Sequence, residues 1–406
     1  MDEITETTEG RGGMLYPYQL DGVAFLRSRR RAYLADEMGL GKTVQAIVAS
    51  QAIQPDETVV VCPASVVENW KREWREWGGV GALDVVSYAS LIRHPRNGAD
   101  LCILDEAHYC KTPQAKRTRT ALKLAQDSKR AWLLSGTPMP NNPTELYAPF
   151  RALWPEAFPG LNTKHKWLDY FCHWDQTDYG PRVWGNKDAV RTYLKPALKK
   201  IMLRRRLDEI ALELPPLRIT TQYLPKDPRL ASRLEELGVE GDLEHMSTLR
   251  RVLGEYKAPL VAEALSDEVG QADLVVLYHH RATGEELRLG LLQACTRNSK
   301  FVWGFDGSTS QRDRQQNIDG FQKHGGVFLA QQGAAGVGIT LTRAHEIVLA
   351  EPSWSPSENA QAIKRIHRIG QEHPCRARIF AVPDSLDEAI TKTLTRKTNM
   401  IAEAGL

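Results

Sequence analysis

Two short stretches of this 406-residue chain carry residue types suited to phosphate chemistry: LADEMGLGKT at 34–43 and LDEAH at 104–108. In the first, Gly39 and Gly41, with Met38 and Leu40 in the same turn, let backbone N–H groups close around phosphate oxygens. Lys42 can then reach the β and γ phosphates, and Thr43 offers a hydroxyl to Mg²⁺. A strict phosphate loop has glycine six positions before the lysine, where this chain has Asp36, and the plain alternative is a Gly-Lys-Thr at an ordinary helix start. In the second stretch, Asp105 can hold the metal through its water shell while Glu106 orients and deprotonates an attacking water. The plain alternative there is two exposed carboxylates at a strand end. The two stretches in this order, about sixty residues apart, are far more specific than either alone. Upstream, LYPYQLDGVAFL (15–26) places Gln19 ahead of the loop, where its carboxamide could read adenine's paired donor and acceptor or simply start a helix.

A third stretch, QAIKRIHRIGQ at 361–371, is basic. At 100° per residue, Gln361, Lys364, Arg365 and Arg368 share one helical face and Ala362, Ile363, Ile366 and Ile369 the other, which predicts an amphipathic helix. Its polar stripe suits solvent, DNA phosphates or nucleotide phosphates. Further basic clusters occur at Arg27 and Arg29 to Arg31, at Lys116, Arg117 and Arg119, and at Lys199, Lys200 and Arg204 to Arg206. Net charge is only +3, so nucleic-acid affinity must come from such clusters, each of which could equally be solubility charge.

These groups need rigid elements to hold them. Uniformly apolar, β-branched runs recur at 58–64, 101–107 and 131–137, and again at 273–279, 326–331, 346–352 and 378–382. Such runs suit strands buried on both faces of a parallel sheet, with ligands at their carboxyl ends, where most of the motifs fall. The expected fold class is α/β, with an N-terminal domain over 1–150, a helical, aromatic-rich insertion over 151–215, a connector over 216–255 and a second domain over 256–406. The composition, 42% hydrophobic and 25% charged, is that of a globular protein. Six scattered cysteines, none in a C-x-x-C pair, argue against a disulfide framework or zinc ribbon, and His165, Cys172 and His173 are read as structural. With no apolar leader and no long apolar run, the expectation is an intracellular protein, nuclear in a eukaryote and cytoplasmic, nucleoid-associated in a prokaryote or virus.

The motifs DEMGLGKT, DEAH, LLSGTPMPNN (133–142), MLRRRLDEIALELPP (202–216), GSTSQRDRQQNIDGFQ (307–322), GAAGVGITLT (333–342) and QAIKRIHRIGQ occur in the order found in Swi/Snf-type DNA translocases of helicase superfamily two. The chain resembles that family from Leu15 to about Phe380, and YFCHWDQTDYGPRVWGN with AEPSW resembles its annealing-helicase and fork-remodeller subgroup. The resemblance implies two RecA-like lobes with an ATP cleft between them, a monomer, and ATP with Mg²⁺ as the bound nucleotide and ion. Gln19 would contact adenine. Met38, Gly39, Leu40, Gly41, Lys42 and Thr43 would hold the phosphates, with Thr43 and Asp105 on Mg²⁺ and Glu106 as base. His108, Ser135, Gly136, Thr137 and Gln361 would couple nucleotide state to the second lobe, from which Gly338, Arg365 and Arg368 would face the nucleotide. Pro63, Ala64, Ser65, Ser87, Tyr88, Ser308, Thr309, Gly336 and Thr340 would track double-stranded or branched DNA, and Trp354 would lie in its groove. Two departures stand out: Gly333 where the family has arginine, and Lys364 where it has aspartate. The implied activity is a DNA-dependent ATPase that translocates on DNA; a strand-separating DEAH-type helicase and a catalytically silent DNA-binding scaffold are the alternatives.

Overall fold

Strands with no polar alternation need cover on both faces, and the chain supplies it by alternating strands with helices. The computed structural model describes residues 14–178, 180–210, 214–228, 230, 232, 243–335, 339–368, 370–387 and 390. The chain divides into two units, the second running over Glu213–Arg396. The first unit contains β1 (Arg31–Leu34), β2 (Glu57–Cys62), β3 (Ala82–Ser87), β4 (Leu101–Asp105), β5 (Arg130–Leu134), β6 (Cys172–Thr177), β7 (Gly180–Asn186) and β8 (Met202–Leu203). Six of these form one parallel sheet in the order β3-β2-β4-β5-β1-β8. Val59 to Val61 and Leu101 to Leu104 are fully enclosed within it. The register sets Leu34 beside Leu134 and Asp105 beside Leu134, so the loops leaving β1, β4 and β5 open at one edge. That edge is where phosphate-binding loops of open parallel sheets lie.

The segment expected to be a helical insertion is only partly helical. It holds helices Lys164–Phe171 and Lys195–Ile201, but also the antiparallel hairpin β6-β7, and its last strand, β8, joins the main sheet. Its rings pack with one another and with Phe150 just before it: Phe158 and Trp167 lie 4.8 Å apart between centroids, Trp167 and Phe171 4.9 Å, and Phe150 and Phe158 5.5 Å. Phe150 meets Tyr33 of β1 edge-on at 6.3 Å, and the Trp167 indole donates to the Pro143 carbonyl at 2.9 Å. Large rings supply buried area without periodic spacing, so the packing left no repeat in the sequence.

The second unit is a parallel sheet of β9 (Leu217–Tyr223), β10 (Leu274–Tyr278), β11 (Val302–Phe305), β12 (Val327–Gln331), β13 (Glu346–Leu349) and β14 (Cys375–Ala381), in the order β11-β12-β10-β13-β14-β9. Residues 216–255, expected as a polar, partly helical connector, contribute a strand and part of a helix to this unit. Residues 217–223 pair with β14 from Leu217 opposite Cys375 to Tyr223 opposite Ala381, and a helix spans Leu243–Ser266. An edge strand keeps one side in water, which is why LRITTQY reads as polar. The helix is tied down by Lys257, buried with Asp387 at 3.0 Å and donating to the Phe380 carbonyl at 3.2 Å. All six cysteines are buried thiols, and no helix among the described residues is long and apolar enough to cross a membrane.

Trp167→Ala should cost about 3–5 kcal/mol of stability by opening a cavity among these rings. Trp184→Ala, at a residue 45% exposed on the hairpin, should cost less than about 0.5 kcal/mol. Urea unfolding of both variants checks the contrast.

Candidate active site

The loop from Ala35 to Gly41 joins β1 to the helix Lys42–Ile53. Gly39 and Gly41 have φ of 88° and 73°, in the region glycine tolerates best. A Cβ on Gly41 would also lie 2.5 Å from the Gln19 amide nitrogen, so the position is closed to side chains twice over. Gln19 itself is buried; its oxygen accepts from Tyr16 N at 3.0 Å and its nitrogen donates to the Leu40 carbonyl at 3.3 Å. The residue expected at adenine thus also fastens the first helix to the phosphate loop. Leu40 is enclosed and Met38 half-buried, while Thr43 follows Lys42 in the first helical turn.

Lys42 donates from Nζ to the Asp36 carbonyl at 2.8 Å and to the Glu37 carbonyl at 3.3 Å. Burial lowers its pKa, opposed by the Glu106, Asp36 and Asp105 carboxylates. Asp36, at the position where a strict loop has glycine, has no exposed surface. Its carboxylate accepts from Arg205 Nε at 2.9 Å, from a second Arg205 nitrogen, and from Gln45 Nε2 at 3.2 Å. Arg204, beside it, donates to the Ala35 carbonyl at 2.9 Å and the Gly136 carbonyl at 3.2 Å.

At the end of β4, Asp105 Oδ2 accepts from the Trp70 indole at 2.8 Å and Oδ1 from Glu106 N at 2.9 Å. Burial and then the neighbouring Glu106 charge push its carboxyl up to about 6. Glu106 has φ 49°, a left-handed conformation that costs a non-glycine residue energy and is found where a site fixes it. Its Oε2 lies 3.2 Å from His108 Nδ1, and the same ring nitrogen lies 3.0 Å from Ser135 Oγ. Ser135 Oγ accepts from Thr137 N at 3.2 Å. A Cβ on Gly136 would stand 2.5 Å from Met38 Cγ and 3.3 Å from Lys42 Nζ. Lys42, Asp105, Glu106, His108, Ser135, Gly136 and Thr137 therefore form one assembly within the first unit.

The residues expected along DNA occupy varied settings, some exposed and some buried. Tyr88 is buried, stacks on Tyr109 at 5.4 Å and donates its hydroxyl to the Asp105 carbonyl at 2.8 Å, so it supports the acidic pair from inside. Ser87 caps the helix Tyr88–Arg93 by accepting from Ser90 N. Ala64 and Ser65 are exposed beyond β2, while Pro63 is buried. In the second unit, the Ser308 and Thr309 hydroxyls donate to Asp306 Oδ1 at 2.7 and 3.0 Å, and these bonds, led by that of Ser308, hold the Asp306 carboxyl down to about 2. Trp354 is half-buried against that unit's core. Thr340 is half-buried, and Gly336 and Gly338 lie outside the described residues.

The basic stretch is not one helix. The helix Pro356–Ile363 stops with Lys364 as its cap, and the following turn tightens through Arg365 N to Ala362 O and Ile366 N to Ile363 O. Gln371 draws the chain aside, its amide donating to the carbonyls of Thr342, Ala344 and Ile366, and His367 bonds the Pro215 carbonyl at 2.8 Å. Gln361 and Arg365 are buried; Arg365 and Arg368 both donate to the Ile339 carbonyl, at 3.4 and 3.3 Å. Gly333 is exposed with open space where a side chain would begin. Sequence reading missed Trp70, Arg204 and Arg205 as parts of the site. The signal for the arginines was the MLRR run itself, and for Trp70 the spacing with Trp74 on one helical face.

A pH effect follows from Asp105. The folded carboxyl keeps a proton between about 4 and 6 that the unfolded chain has released, so stability falls as pH rises through that window. Asp105→Asn should therefore melt higher than wild type at pH 7.5 and near it at pH 4.5, each kcal/mol being worth roughly 2–4 °C for a unit of this size. Thermal melts at the two pH values check it.

The SNF2-related domain matches residues 18–97 and 90–228, and the helicase conserved C-terminal domain matches residues 257–370. The chain is 28% identical over 449 residues to the SWI/SNF-related matrix-associated actin-dependent regulator of chromatin subfamily A-like protein 1 of Xenopus tropicalis, covering 100% of this chain and 46% of that protein. It is 29% identical over 445 residues to the DNA annealing helicase and endonuclease ZRANB3 of Homo sapiens, covering 95% of this chain and 40% of that protein. The chain thus spans less than half the length of these two relatives. Among solved structures, the SWI2/SNF2 ATPase core of Sulfolobus solfataricus in complex with dsDNA aligns with 96% of this chain and 92% of that chain, at 22% identity and a TM-score of 0.45. With the domain match running from residue 18 to 228 across the loop, the acidic pair and the arginine strand that hold the site together, this chain belongs to the SNF2-related family.

Proposed function

We propose that the chain is a DNA-dependent ATPase that translocates on double-stranded or branched DNA without processive strand separation. The observation that carries the reading is the assembly at the carboxyl edge of the first sheet, with Lys42 beside the Asp105-Glu106 pair and Glu106 linked through His108 to Ser135. Glu106 is the base for the attacking water, with His108 Nδ1 3.2 Å from its Oε2. Lys42 takes the charge of the β and γ phosphates. The donor set fits Mg²⁺: Asp105 and Glu106 are adjacent carboxylates, the first pushed up to about 6 by burial and the Glu106 charge, and Thr43, next to Lys42 in sequence, supplies a neutral oxygen. Bound there, the ion would neutralise phosphate charge. Arg365 and Arg368, both turned to the Ile339 carbonyl, are the arginines proposed to face the γ-phosphate. DNA as the polymer acted on is supported by the printed name of a relative, a DNA annealing helicase and endonuclease. Phosphate-led contacts make binding tolerant of sequence and steeply weakened by salt.

ATP turnover measured with single-stranded, duplex and forked DNA and with RNA tests the reading. Stimulation by duplex or forked DNA is expected, and stimulation by RNA alone would overturn it. A triplex-displacement assay beside a strand-displacement assay separates duplex tracking from unwinding. Glu106→Gln should retain ATP binding and lose about 10²–10⁴ in turnover. Arg368→Ala should lower kcat by roughly 10³ or more with DNA affinity nearly unchanged; an equal loss of DNA affinity would make it a backbone contact instead.

A further inference from the structure

We infer that Arg205 is a positioning residue for the nucleotide, acting through Asp36 on Lys42; the inference rests on the ATP-binding reading of the phosphate loop. Asp36 is bonded on both sides. Its carboxylate receives the Arg205 fork and Gln45, while its carbonyl receives Lys42 Nζ at 2.8 Å. The guanidinium is fixed in turn: it donates to the Tyr18 carbonyl and to Gln45 Oε1, the latter at 2.9 Å, and lies over the Tyr18 ring with 5.4 Å to its centroid. Gly22 leaves the room, since a Cβ there would stand 1.7 Å from Gln45 Oε1 and 2.8 Å from an Arg205 nitrogen.

The backbone repeats the connection. Ala35 N donates to the Leu203 carbonyl at 2.7 Å, Glu37 N to the Arg205 carbonyl at 2.9 Å, and Leu207 N to Glu37 Oε2 at 2.6 Å. Residues 35 to 37, whose carbonyls at 36 and 37 hold the lysine ammonium, are thus bound along their length to 203–207. A buried aspartate that is charged needs a counter-ion with two parallel donors, and lysine, a point charge, cannot supply that geometry. Loss of the fork frees residue 36 and with it the placement of Lys42 for phosphate.

The test measures equilibrium affinity for ATP, together with KM and kcat, in Arg205→Lys, Asp36→Asn and the double variant, each confirmed folded by circular dichroism. Each single variant should weaken ATP binding and raise KM by about tenfold, with a smaller change in kcat, and the double variant should be no worse than the worse single one, as for groups acting as a unit. Unchanged ATP affinity in folded variants, or losses that add in the double variant, would overturn the inference and leave a purely structural ion pair. Asp36→Asn keeps the side-chain shape and gives the same readout should Arg205→Lys fail to fold. Wild-type protein that binds ATP without hydrolysing it would sink the ATPase reading and spare this one, whereas active wild type with an unaffected Arg205→Lys would do the reverse.

Discussion

A carboxylate with no exposed surface must have its charge answered inside the protein, and much of the first unit is arranged to answer the charge of Asp36. A planar fork from Arg205 does so, with Gln45 completing the bonds. To bring that fork to the end of β1, the chain must return from the aromatic insertion and run beside β1 as β8, which makes β1 an interior strand. Arg204 then reaches the carbonyls of Ala35 and Gly136, tying the loop after β1 to the loop after β5. The shape of the phosphate loop is thus set by residues about 170 positions away in sequence, as much as by its own glycines.

The parallel strands were legible because burial on both faces leaves an unbroken apolar run, as in TVVVC and LCIL. The strands missed were those that departed from that pattern. β1 is four residues long and begins inside a basic cluster; β3 carries Asp84; β9 is an edge with Ile219 and Tyr223 in water. By charge alone, the basic cluster at Arg27 and Arg29 to Arg31 suits solubility or a nucleic-acid patch. Arg30 donates to the Lys129 carbonyl and Arg31 to those of Gln126 and Ser128, so two of its members staple β1 to the turn before β5. Hydrogen bonds of that kind leave no mark in a charge count.

In the candidate site, the groups that spacing could find were those whose chemistry is local: Lys42 after its glycines, and Asp105 with Glu106 at a strand end. Their supports are distant in sequence and chemically ordinary. Trp70 and Tyr88 look like core aromatics, and each has one polar atom that happens to meet Asp105. The helix drawn through QAIKRIHRIGQ failed for a similar reason. Its apolar and basic residues keep helical spacing, but Gln371 collects three carbonyls and ends the regular coil at Ile363, a tertiary demand that periodicity cannot register.

The lateness of β8 has a consequence for synthesis on the ribosome. The five other strands of the first sheet are complete by residue 134, yet the counter-ion of Asp36 arrives only at 205. Until then the nascent sheet has an open edge at β1 and a carboxylate whose burial would go unanswered, which favours a loosened loop over a finished one. The phosphate loop, among the first parts translated, is therefore among the last parts of its unit to reach final form.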